Sequence, residues 1–124
     1  MPLVAAAAKP TTIDEYVAVP TGPLASVVGL LRDKFDLALP ETSTELWHGH
    51  PVWLEDELPV VGFKAYPTFV TVLLWRGQAI KDDSGKLNAS GSAEMSEYKL
   101  KSVDDFDNAL FDGWLEQVRE LEAA

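Results

Sequence analysis

The sequence predicts an α+β domain: an antiparallel β-sheet of about five strands packed against two N-terminal helices and one long C-terminal helix. Three observations carry this. Apolar residues step at helical spacing in two stretches, from Leu24 to Phe35 and from Val103 to Leu121. Between them the pattern changes to short runs rich in β-branched and aromatic residues. Short turns separate these runs, so neighbouring strands pair as hairpins and run antiparallel.

The elements follow in order. Thr12-Ile13-Asp14-Glu15 has the spacing in which a hydroxyl and a carboxylate each satisfy a free backbone N–H at a helix start, which predicts a short helix from about Ile13 to Val19. Pro20-Thr21-Gly22-Pro23 stops it, and Pro23 suits the first turn of a second helix, whose apolar face is Leu24, Val27, Val28, Leu31 and Phe35 and which ends before Pro40. Strands are expected over Thr44–His48, Val52–Leu54 and Leu58–Phe63, with a bend at Gly49 and Pro51 and an acidic turn at Glu55-Asp56-Glu57. Thr68–Trp75 is apolar on both faces and so belongs in the middle of the sheet. A polar loop from Arg76 to about Ser92 precedes a last strand, Glu97–Lys101. Ser102, with Asp105 three residues on, is expected to cap a helix whose apolar stripe is Val103, Phe106, Leu110, Trp114, Val118 and Leu121.

At 124 residues the chain suits one core, read here as a single domain over 12–124 after a disordered tail over 1–11. With 47% hydrophobic and 24% charged residues the composition is that of a folded soluble protein, and the absence of any apolar run of ~20 residues sets a cytoplasmic protein as the expectation. A net charge of −10 repels phosphate backbones and anionic lipid, which argues against nucleic-acid and membrane partners. Without cysteine, disulfides, thiolate metal sites and Cys nucleophiles are excluded.

Trp47-His48-Gly49-His50-Pro51-Val52-Trp53, then Val61-Gly62-Phe63-Lys64-Ala65-Tyr66, then Phe69-Val70-Thr71-Val72 resemble the Trp-Gly-x-Pro core, the glycine-containing strand and the following strand of the YdhG-like domain family. Thr12 to Tyr16 resembles the family's Thr-Ile-Asp-Glu-Tyr start, Gly77 to Leu87 is similar to the segment after its central strand, and Lys99 to Asp105 to its last strand and helix start. The resemblance implies a compact α+β domain without an assigned activity, some members of which are described as frataxin-like intracellular iron chaperones. Ala93-Glu94-Met95-Ser96-Glu97 is acidic where relatives often carry basic residues, which weighs against an anion-binding role for that segment.

Two histidines are the most obvious chemical groups. His48 and His50 share a face only if the strand runs straight through Gly49, and a metal site needs a third ligand for which Glu45, Glu55 and Asp56 are merely sequence neighbours. The aromatic side chains Trp47, Trp53, Phe63, Tyr66, Phe69 and Trp75 fall in or beside strands. They read either as core or as an open apolar pocket on the sheet with His48, His50 and Lys64 as its polar groups. Lys64, Lys99 and Lys101 either reach toward a ligand or protect sheet edges. A frataxin-like acidic ridge would need more than Asp14, Glu15, Asp33 and Asp36, diluted as they are by Arg32 and Lys34. Calcium-loop, phosphate-loop and nucleophile-elbow patterns do not occur.

The reading that results is a non-enzymatic intracellular domain binding a small ligand or a protein partner, as monomer or homodimer. Its candidate ligand residues are Trp47, His48, His50, Trp53, Lys64, Phe69 and Trp75. No catalytic residue, cofactor or metal set is assigned. Iron binding through surface carboxylates or histidines is the alternative.

Overall fold

A computed structural model describes residues 10–90 and 94–123. Most of the tail expected over 1–11 lies outside the described residues. Three helices, α1 (Ile13–Ala18), α2 (Pro23–Ala38) and α3 (Asn108–Ala123), accompany six strands: β1 (Ser43–Trp47), β2 (His50–Glu55), β3 (Leu58–Ala65), β4 (Val70–Leu74), β5 (Asn88–Ala89) and β6 (Ser96–Leu100). The strands form one antiparallel sheet in the order β1-β2-β3-β4-β6-β5. The fold class is the expected one, with β3 and β4 at its centre. The sixth strand, β5, lies inside the stretch expected to be a polar loop. It is two residues long, pairing Asn88 with Glu97 and Ala89 with Ser96, too short to show any alternation in sequence.

Local chemistry fixes the helix ends. Thr12 Oγ1 accepts the Glu15 backbone N–H at 3.1 Å, and the Glu15 carboxylate reaches back to the Thr11 backbone N–H at 2.8 Å. The last helix starts later than its capping signal suggested. Ser102 caps a single 3-10 turn, Val103–Asp105, through its Oγ and the Asp104 N–H. The chain then extends at Phe106, and the Asp107 carboxylate, which accepts the Leu110 N–H at 3.1 Å, caps α3. Tyr98 holds this break in place: its hydroxyl donates to the Asp105 carbonyl at 2.8 Å. Asp105 is also taken, because its carboxylate accepts the Lys101 N–H at 2.8 Å. Val103 is therefore off the helix and exposed.

All five apolar residues expected on α2 are buried. On α3 the buried set is Phe111, Trp114, Leu115 and Val118. Both faces close over one side of the sheet, where Trp53, Val61, Phe63, Val72, Leu74, Tyr98 and Leu100 join them in a single cluster. Its centre is aromatic. Phe35 meets Trp53 edge-to-face with centroids 5.0 Å apart, and Phe63 and Phe111 lie 6.5 and 5.8 Å from Phe35. Lys34 Nζ bonds Asp112 at 2.9 Å and ties α2 to α3. No helix among the described residues is long and apolar enough to cross a membrane.

Candidate functional site

Strand alternation and register define the other side of the sheet. One row runs across all six strands: Glu45, Val52, Gly62, Leu73, Glu97 and Asn88. Two residues along lies a second row. Trp47 pairs with His50, and Lys64 pairs with Thr71, which pairs with Lys99. Continuing the β2–β3 register brings His50 opposite Lys64, whose charge acts on its imidazole. The core cluster holds no member of either row, so among the described residues the helices leave this face uncovered.

Part of this face is nonetheless shielded from solvent. Val52 and Leu54 are buried yet stand apart from the helix-side cluster. Trp75 crosses Gly62: a Cβ added there would stand 3.4 Å from Trp75 Cζ3 and 2.6 Å from the Pro51 carbonyl oxygen. Glycine is required here by the close approach of the Pro51 carbonyl, and the indole ring lies alongside at ordinary contact distance. At the β1 edge, Trp47 donates its Nε1 hydrogen to Glu45 at 3.1 Å and stays half-buried. At the end of the sheet, Tyr66 and Phe69 stack with centroids 4.7 Å apart. Lys64 Nζ sits over the Tyr66 ring at 5.1 Å and Lys99 Nζ over the Phe69 ring at 5.6 Å.

The turn between β1 and β2 separates the histidines. His48 and Gly49 both have positive φ, 51° and 83°, forming the two-residue hairpin loop closed by Trp47 and His50. His48 is exposed at the tip, while His50 opens β2 with its Nδ1 buried and without a hydrogen-bond partner. Burial pushes the His50 imidazole below the ordinary histidine pKa, and the charges of Lys64 and His48 act in the same direction. The backbone at Pro51 and Phe63 opposes the shift without closing a well-formed hydrogen bond to Nδ1.

Of the seven residues singled out in the sequence, Trp47, His50, Lys64, Phe69 and Trp75 therefore gather on the uncovered face. His48 sits at its rim. Trp53 does not join them: it is 1% exposed on the helix side, where its Nε1 donates to Asp36 at 2.8 Å. Alternation along β2 is enough to separate them: His50 and Trp53 are three residues apart in a regular stretch and so face opposite sides. Tyr66, Thr71, Lys99 and Gly62 complete the face without having been assigned to the site. Gly62 and Lys64 are two apart, and this spacing was the signal that they share a side.

Three of the four acids of the supposed ridge are engaged elsewhere, Glu15 with Thr11. Asp14 and Asp36 pair with Arg32, and Asp36 also holds Trp53. Among the described residues no three His, Asp or Glu side chains come together as a metal site would require, so the geometry gives the iron-binding alternative no support.

No protein-family model matches the chain, and no curated protein matches it significantly. Its fold matches the crystal structure of a DUF1801-family protein, YdhG, from Bacillus subtilis. The TM-score is 0.66 at 15% identity, covering 90% of this chain and 91% of that one. The fold is thus the one implied by the YdhG-like motifs of the sequence.

Proposed function

We propose that this chain, which has the fold of a DUF1801-family protein, is a binding module whose uncovered sheet face receives a flat, largely apolar small molecule. The observation that carries this reading is the gathering of Trp47, Trp75, Tyr66 and Phe69 on a side of the sheet that no helix covers. A face of rings with a few polar groups between them is the usual make-up of a small-molecule site. Stacking on an aromatic platform favours a planar guest. The polar groups present, Lys64, Lys99 and His50, serve recognition: ammonium and imidazole give direction to a guest that the rings hold. A large macromolecular interface is less well served, because Trp47 and Trp75 are themselves already half-buried.

A neutral, environment-sensitive dye such as N-phenyl-1-naphthylamine tests the reading. Saturable fluorescence enhancement is expected with the full chain, and its loss is expected in the Trp47→Ala/Trp75→Ala double variant. Enhancement that is absent, or unchanged in the double variant, would sink the proposal.

A further inference from the structure

We infer that Lys64 and His50, neighbours in the row that starts at Trp47, form a carboxylate subsite on this face, and that the guest is a planar aromatic monocarboxylate. The inference rests on the reading of the face as a binding surface and adds the charge of its occupant. Lys64 is exposed on a chain with twenty acidic residues, yet no carboxylate lies within ion-pair distance of it among the described residues. Its ammonium rests on the Tyr66 ring and its field falls on His50. The acids of the neighbouring row are already engaged, Glu45 by the Trp47 indole N–H and Glu97 by Lys99 Nζ at 3.9 Å.

A single uncompensated positive charge thus remains in the row, set over the Tyr66 ring. That matches a monoanion. The dianion of a phosphate monoester would leave its second charge facing Glu45 and Glu97. The imidazole of His50 adds a polar group next to the ammonium without adding a second permanent charge, since its burial favours the neutral form. An ammonium–carboxylate contact at the edge of an aromatic surface is screened less than one in open water.

The probe set is 2-naphthoate, neutral 2-naphthamide and 2-naphthyl phosphate, titrated calorimetrically into the full chain. The acid is expected to bind about tenfold tighter than the amide, the equivalent of ~1.4 kcal/mol. Lys64→Met should erase that difference, and Lys81→Met, on the loop held against Gln117 of α3, should preserve it. If neither acid nor amide binds at millimolar concentration, the reading of the face falls and the subsite with it. Equal binding of acid and amide, or an advantage that survives Lys64→Met, overturns the subsite alone. Tighter binding of the phosphate overturns the choice of a monocarboxylate.

Discussion

On the helix side of the sheet, Phe35, Trp53, Phe63 and Phe111 touch ring to ring and every one is buried. On the other side, Trp47, Trp75, Tyr66 and Phe69 meet lysines, a carboxylate and solvent. The residue types are alike. What differs is the parity of their positions along each strand and the presence of α2 and α3 over one side only. In the first group the rings hold the fold together, since most of their surface is removed from water. In the second they are half-buried or exposed and keep part of their surface open to solvent. An aromatic count taken from composition cannot separate these uses; the strand register can.

The sharpest test of the difference is on the helix side. Phe63 has no exposed surface and packs against Tyr16, Phe35 and Trp53. Phe63→Ala is expected to cost about 3–5 kcal/mol, the usual range for deleting a core aromatic, as measured by urea unfolding. A loss below 1 kcal/mol would mean that the two faces do not divide the work as described.

One residue earlier, on the opposite face, Gly62 asks for a smaller effect of a different kind. A methyl group there would collide with the Pro51 carbonyl oxygen at 2.6 Å and press on Val52 Cγ2 at 3.3 Å. Backbone cannot yield as a side chain does, so Gly62→Ala is expected to destabilise by about 1–3 kcal/mol, as overpacking does. An unchanged urea midpoint would show that the Pro51 carbonyl does not approach Gly62 as closely as 2.6 Å from a Cβ.

Periodicity carried much of this structure in plain view. The α2 stripe from Leu24 to Phe35 is buried residue for residue, because a 3.6-residue period against a sheet leaves one solution. The start of α3 was misplaced because Ser102 and Asp105 look like a cap in sequence, while in space Asp105 closes a turn under the Tyr98 hydroxyl. Long-range partners of this kind leave no local trace. The same holds for the site. The rings and Lys64 were recognisable by type, but their gathering depends on pairing β3 with β4 and β6, and Trp53 left the set because it faces α2 and bonds Asp36.

The smallest expected effect concerns His50, and its sign can be worked out. Its imidazole is held below the ordinary value of 6.5, first by burial and then by the charges of Lys64 and His48, against the backbone at Pro51 and Phe63. Above 6.5 the group is neutral in both folded and unfolded chains and contributes nothing to the pH dependence. As pH falls below 6.5 the unfolded chain takes up the proton first, so stability declines until the folded pKa is passed. Glu15 and Asp82, whose carboxyls are held below their ordinary 4.5 and 3.8, act only at lower pH: each loses its stabilising contribution as pH falls through its folded pKa. Urea midpoints at pH 7.5 and pH 5 therefore isolate the histidine. The wild-type chain should lose stability between them, His50→Gln should lose less, and Lys64→Met should fall in between because one of the two repelling charges is gone. An equal loss in all three would place the titrating group elsewhere, and would leave the uncovered face as insensitive to acid as the helix side.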